Sequence, residues 1–194
     1  MRVITIDREF GAGGHSVGRA VAKRLGIEFY DRDIIAQAAA SGGLEPSQIE
    51  EEEETISKTQ AFISAISPAG YDSKDRVFAC ESAAIVGFAK QGPCVILGRC
   101  ASAVLREEGI EVLSVFLHAD EEHRIKRAGE LLGTDNINTI RKAIRKKDVA
   151  RRAYYHAFTD GHWGTVDEHT ILLDTGVLGY ETCVNIICEA AKAL

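Results

Sequence analysis

Val3-Ile4-Thr5-Ile6-Asp7-Arg8-Glu9-Phe10-Gly11-Ala12-Gly13-Gly14-His15-Ser16 is the stretch on which the reading of this chain turns. Val3 to Asp7 is β-branched and apolar, which predicts a strand over 3–7. From Ser16 to Leu25 the residues Val17, Ala20, Val21, Arg24 and Leu25 share one stripe, which predicts a helix over 16–25 closed by Gly26. Between the two, Gly11, Gly13 and Gly14 open backbone conformations closed to other residues, so several N–H groups can converge on one anion at the positive end of the helix. The order strand, glycine loop, helix therefore predicts a phosphate cradle. A glycine-rich turn without a ligand is the plainer alternative.

Outward from this stretch the period keeps changing. Ile27 to Tyr30, Cys94 to Leu97, Glu111 to Leu117 and Thr170 to Asp174 are short apolar runs, and longer helical patterns separate them. Apolar strands alternating with helices predict βαβ units, hence an α/β fold with a parallel sheet covered on both faces. The chain of 194 residues fits a single domain, large enough to bury roughly 70% of its unfolded surface. With 45% apolar and 27% charged residues and only 3 prolines, it is neither fibrous nor wholly disordered. No run approaches the ~20 apolar residues of a membrane helix, and no signal-peptide pattern precedes the first strand, so the expectation is a cytoplasmic protein without membrane partners. Five cysteines, odd in number and without a Cys-x-x-Cys pair, read as buried thiols in a reducing compartment.

Charge is distributed unevenly. Arg141 to Arg152 holds seven basic residues against Asp148, a local charge of +6 in a chain whose net charge is -6. A cationic helix on an acidic protein predicts a small anionic ligand and argues against nucleic acid, whose backbone the surrounding field would repel. A helix kept soluble by its lysines is the alternative. The run Glu50 to Glu54, behind a capping-box pattern at Ser47 and Glu50, reads as a solvated helix face. The six histidines have no metal-ligand spacing: His118 and His123, and His156 and His162, fall off the one-face interval of a helical zinc pair. Tyr154, Tyr155 and Trp163 read as packing for the basic helix, with stacking on a base as the second choice.

Two loop designs compete at residues 9–16. Gly11-x-Gly13-x-x-Ser16 is similar to a dinucleotide fingerprint, but Arg8, Glu9 and Phe10 intervene where that design places its first glycine at once. The longer loop resembles the Gly-x-x-x-x-Gly-Lys-Ser/Thr loop of nucleotide kinases, with Gly14-His15-Ser16 in the last three places. Glu9 then stands at the first glycine and His15 at the lysine. Four blocks extend the likeness: Ile6 to Gly14, Phe29-Tyr30-Asp31-Arg32-Asp33-Ile34-Ile35, Gly92-Pro93-Cys94-Val95-Ile96-Leu97-Gly98-Arg99-Cys100-Ala101, and Leu173-Asp174-Thr175-Gly176. Together they resemble the cytidylate kinase-like family over nearly the whole chain.

That resemblance implies a P-loop NTPase fold: a five-stranded parallel sheet flanked by helices, with a helical monophosphate-binding insert over about 31–90 and a lid over about 134–157. It implies ATP and Mg²⁺, with Gly11, Gly13, Gly14 and Ser16 on the donor phosphates and the Ser16 hydroxyl on the metal. Arg99 and the pair Asp148 and Arg151 would bind a nucleoside monophosphate, CMP or dCMP, with Arg145 or Arg152 able to share the role of Arg151. Cys100 stands where cytidylate kinases carry an aspartate. Because His15 replaces the lysine, a cation must be supplied from elsewhere, and Arg8, Arg19 or the lid arginines, Arg151 among them, are the candidates beside His15 itself. Asp31, Arg32 and Asp33 lie where an acceptor could be oriented. Two other readings stay open: a nucleotide-binding module with little catalysis, and a kinase of another small metabolite.

Overall fold

The computed structural model of the chain describes residues 3–31 and 73–193. Most of the expected monophosphate-binding region, including Arg32, Asp33, the Ser47 to Glu50 pattern and the acidic run that follows, lies outside the described residues. Five strands and six helices make up the described part: β1 (Val3–Arg8), α1 (Gly14–Leu25), β2 (Glu28–Tyr30), α2 (Ser73–Gln91), β3 (Cys94–Leu97), α3 (Ala101–Glu107), β4 (Val112–His118), α4 (Glu121–Leu132), α5 (Ile137–Phe158), β5 (Ile171–Asp174) and α6 (Thr175–Ala193). The strands form one sheet in the order β2-β3-β1-β4-β5, every pairing parallel. All five expected strands form, each within a residue of its predicted bounds.

Each face of the sheet has its own core. On one side Ile4, Ile6, Val95, Leu113, Val115 and Leu117 pack with Val17 and Val21 of α1 and Val184 and Ile187 of α6. On the other, Val3, Cys94 and Ile96 meet Ile85 and Phe88 of α2 and Val104 and Leu105 of α3. Burial on both faces is why these strands read as continuous apolar runs and not as alternations. A third, smaller cluster of Ala128, Ile140 and Ile144, joined by Phe10 and Ile125, ties α4 to α5.

Local signals set the helix ends. Gly26 takes the left-handed conformation and closes α1, as its position predicts. Asp120 caps α4 by accepting from His123 N at 2.7 Å, and Asn136 caps α5 by accepting from Thr139 N at 3.1 Å. Helix α1 starts at Gly14, two residues before the expected Ser16, because Gly13 is its N-cap at φ 79° and the chain turns into the helix there. The five cysteines are free thiols, four of them buried. Burial pushes the Cys94 thiol up to about 12. Among the described residues no helix is long and apolar enough to cross a membrane.

A polar layer lies beneath the second face. Thr5 and Asp7 follow Val3 on the same side of β1, and both are buried, as are Ser102, Ser114 and His169. Tyr155 is buried with its hydroxyl donating to Glu168 at 2.8 Å, and Arg106 donates to Ser114 Oγ at 2.9 Å. His169 packs against Phe116, and neither of its ring nitrogens has a hydrogen-bond partner among the described residues. Burial holds its pKa below the usual histidine value; Asp7 pulls it partly back, Arg106 pushes it further down and Glu168 raises it.

Two outcomes follow from this packing. Ile6→Ala is expected to lose about 2–5 kcal/mol in urea unfolding, against less than about 0.5 for the exposed Val166→Ala. With the His169 pKa lower when folded than its 6.5 when unfolded, the unfolded chain takes up the proton first. Stability is therefore full above about pH 6.5 and falls as pH drops toward the folded value. His169→Gln is expected to flatten that slope, and an unchanged slope would place the titration elsewhere.

Candidate functional site

Strand β1 lies between β3 and β4, and the chain leaves it toward β2 on one side while β3 connects across it to β4 on the other. Open α/β sheets bind ligands in the crevice that such a reversal leaves at the carboxyl ends of the strands. Here the crevice is bordered by the loop after β1, the turn after β3, and α4 and α5.

The loop is built to leave amides available. Glu9 N–H still pairs with Leu117 O at 2.9 Å, Ala12 N–H closes a turn onto Glu9 O at 3.2 Å, and Val17 N–H reaches Gly13 O at 2.9 Å as the helix begins. Among the described residues no side chain caps α1, and no acidic residue sits in its first turn. The N–H groups of that turn, which a helix cannot satisfy internally, remain for an anion. Gly13 is glycine for two reasons: its φ of 79°, and the Tyr180 ring, whose hydroxyl would lie 2.6 Å from a Cβ at that position. Tyr180 follows Gly179, whose φ of 72° interrupts α6. The Ser16 hydroxyl accepts from Arg127 Nη2 at 3.5 Å. One serine oxygen beside a glycine cradle is a donor set that fits Mg²⁺ bound mainly through phosphates and water. Among the described residues no group of three or more His, Cys, Asp or Glu side chains makes a metal site.

Arg8 connects two parts of the crevice. Its stem runs over Gly14, where a Cβ would come 2.6 Å from Arg8 Cγ, and its guanidinium lies against Gly98, where a Cβ would collide with Nη1. The missing side chains at Gly14 and Gly98 make room for this cation. Arg151 donates to Arg8 O at 3.0 Å from α5 and lies 5.8 Å from the centre of the Phe10 ring. Asp148 is buried, with Phe10 N–H donating to its Oδ1 at 2.7 Å and Arg124 donating to Oδ2. The expected pair Asp148 and Arg151 thus converges on the glycine loop, 3.9 Å apart.

Past β3 the backbone turns left-handed over Gly98, Arg99 and Cys100, at φ 79°, 59° and 54°. For Arg99 and Cys100 such a conformation costs roughly 1–3 kcal/mol each, a strain found where surrounding structure holds a side chain in place. The Arg99 Nε is 3.3 Å from Oε1 of Glu81, which is 0% exposed, and the guanidinium sits 5.5 Å above the Tyr154 ring. Tyr154 hydrogen-bonds the other Glu81 oxygen, and burial, first, with Glu81 beside it, raises the phenol pKa well above its usual value. Burial likewise raises the carboxyl of Asp7, with His169, Arg8 and Arg151 pulling it back.

His15 lies in the first turn of α1. It is exposed, accepts from Arg19 Nε at 3.3 Å, lies 3.5 Å from Asp31 Oδ2 and meets the Phe29 ring edge-on. Arg19, Asp31 and His15 therefore form one group at the carboxyl end of β2. Tyr154 meets Phe78 edge-on and Phe158 at a tilt, and Trp163 packs edge-on against Phe116 with the Arg152 guanidinium 5.7 Å from its ring, so these aromatics pack against protein rings. Sequence reasoning passed over Glu81, Arg124, Arg127 and Tyr180. All four lie inside helices with no local signature, and only tertiary contact brings Arg124, Arg127 and Tyr180 to the glycine loop and Glu81 to Arg99.

Comparison with solved structures extends this description. A protein from Eubacterium ventriosum described as uncharacterized superposes with a TM-score of 0.72 at 22% identity, covering 100% of both chains. Shikimate kinase from Acinetobacter baumannii gives 0.53 at 16% identity, covering 100% of this chain and 94% of that one. A gluconokinase from Sinorhizobium meliloti 1021 gives 0.53 at 18%, covering 98% and 95%. At these identities the likeness shows the fold, which is that of the P-loop kinases. No curated protein matches the sequence. Residues 3–177 match the cytidylate kinase-like family, and with that span inside one family pattern the chain belongs to the cytidylate kinase-like family.

Proposed function

We propose that this chain transfers a phosphoryl group from ATP to a nucleoside monophosphate, most simply CMP or dCMP. The observation that carries the reading is the path of Arg8, which spans from the glycine loop at Gly14 to Gly98 beside Arg99. A cation between the donor and acceptor sides is what transfer of a charged phosphoryl group requires, because catalysis there rests on alignment and charge neutralisation. Gly11, Gly13, Gly14 and the first-turn amides of α1 hold the donor phosphates. When bound at Ser16, Mg²⁺ supplies charge neutralisation between those phosphates. Arg99, held by Glu81, and Arg151, held at Arg8 O, bind the acceptor phosphate, and Asp148 orients Arg151. His15, beside Asp31 and Arg19, stands where the lysine of such loops would be. Residues 31–90 form the acceptor side in this reading, and residues 134–157, mostly α5, form the lid. Free, mostly buried thiols suit a cytoplasmic setting.

One observation favours a second acceptor class. A monophosphate oxygen needs no base, yet Asp7, a buried carboxylate with a raised pKa, lies at the end of β1. Such a group suits deprotonation of an alcohol, and shikimate kinase and gluconokinase, whose names denote alcohol acceptors, share the fold. An assay of ADP release with CMP, dCMP, UMP, AMP, GMP, shikimate and gluconate decides. Turnover with CMP or dCMP supports the first reading, turnover with the hydroxy acids the second, and ATP binding without turnover a binding module.

Two expectations accompany the assay. ATP with Mg²⁺ at 100 times its dissociation constant raises stability by roughly 2.7 kcal/mol in thermal unfolding, whereas NAD(P) leaves it unchanged. Stabilisation by NAD(P) alone would restore the dinucleotide loop. Arg99→Ala weakens acceptor binding by about 1.5–3 kcal/mol while ATP binding stays within about twofold, measured by calorimetry on the two ligands separately. Equal loss of both would move Arg99 out of the acceptor site.

A further inference from the structure

Glu9 occupies the place where a phosphate loop of this length carries its first glycine, and the structure gives that carboxylate a specific use. Its Oε2 accepts from Ala119 N–H at 3.3 Å and pairs with Arg124 Nη1 at 3.1 Å. Arg124, on α4, is only 12% exposed, and its other two nitrogens are also engaged. Nε donates to the Phe10 carbonyl at 2.9 Å, and Nη2 donates to Asp148. Asp148, on α5, accepts in turn from the Phe10 N–H at 2.7 Å. Both backbone polar groups of Phe10 are thus taken by side chains from two different helices, and those side chains are bonded to each other. The Phe10 ring completes the arrangement, joining Ala128, Ile140 and Ile144 and lying under Lys147 at 5.2 Å and Arg151 at 5.8 Å. The backbone of α4 also closes on the loop, since a Cβ at Gly11 would lie 2.7 Å from Arg124 O.

We propose that Arg124 is a positioning residue for phosphoryl transfer: its fork holds Glu9, Phe10 and Asp148 in one frame and so sets the glycine loop and the cationic helix α5 in a common register. The inference rests on the kinase reading above and adds to it how Arg151 is brought to the loop. Arginine suits the task because its planar donors can serve three acceptors at fixed angles, which a lysine ammonium on a flexible stem cannot. The charges favour a positioning role over phosphate contact. Two carboxylates face Arg124, so its charge is spent on them, and it masks Glu9 and Asp148 from an incoming phosphate. Effective alignment depends on such registration, and a misplacement of about 1 Å at a reacting centre can cost on the order of 100-fold in rate.

The test uses the full chain with Arg124→Gln, Arg124→Lys, Asp148→Asn and the double variant Arg124→Gln/Asp148→Asn. In the nucleotide-free protein, amide exchange at Phe10 is expected to quicken at least about 10-fold in Arg124→Gln, with Arg124→Lys intermediate and the amides of Ile4 and Ile6 unchanged. In the coupled assay kcat is expected to fall by about 10- to 100-fold while the KM for ATP stays within about threefold, with partial rescue by lysine. The double variant is expected to be no slower than Arg124→Gln, because both changes break the same frame. Unchanged protection at Phe10, a parallel loss throughout β1, or additive kinetic effects would each overturn the proposal. If the parent protein phosphorylates none of the acceptors, the kinase reading fails, and the exchange measurement still decides whether Arg124 holds the loop.

Discussion

Everything in this molecule hangs from the double pairing of β1. Its residues are hydrogen-bonded to β3 on one edge and β4 on the other, with Ile4 opposite both Val95 and Leu113. A strand held on both edges and packed on both faces has no freedom in register. Where it ends, the chain must turn over the sheet edge, and Glu9 N–H still grips Leu117 O as the turn begins. The loop thereby inherits the position of the central strand. Parallel pairing puts the ends of β1, β3 and β4 at the same end of the sheet, so three connections open onto one crevice.

Charges around that crevice are compensated locally. Glu81 is fully buried yet meets Arg99 and Tyr154, and the acids Glu9 and Asp148 are bound to Arg124. Leaving one member of a buried set alone typically costs about 3–5 kcal/mol, so each set resists removal of a single partner. The gain is directional. A carboxylate beneath a guanidinium fixes where its cation lies, and the left-handed turn at Arg99 and Cys100 is tolerated because Glu81 anchors the first side chain and burial the second. The acidic net charge of the chain and the cationic α5 are reconciled in the same way, with Asp148 as the acid through which that helix meets the loop.

The sheet was legible because its strands are buried on both faces, and a continuous apolar run such as Cys94 to Leu97 announces that without any long-range knowledge. The glycine loop was legible for a related reason: backbone requirements at Gly11 and Gly13 leave a mark on residue type. Arg99, Asp148 and Arg151 were reached only through the resemblance to the cytidylate kinase-like family. Arg124 was not, since a charged residue on an amphipathic helix looks solvated until α5 folds against it. Glu81 was invisible likewise, an acid within a long helix whose burial depends on Arg99 and Tyr154 arriving from elsewhere. His15 falls in the first turn of α1, and its partners, Arg19 one turn on and Asp31 beyond β2, depend on side-chain direction that the spacing of the loop does not encode.

Trp163 is the one tryptophan of the chain, and it sits where the segment after α5 folds back against Phe116, with the Arg152 guanidinium 5.7 Å from its ring. Indole emission responds to a nearby positive charge and to solvent at its edge. The protein therefore carries a built-in optical gauge on the outer side of the helix whose inner side touches the glycine loop, and any displacement of α5 relative to the sheet is written into its own fluorescence without a label being attached.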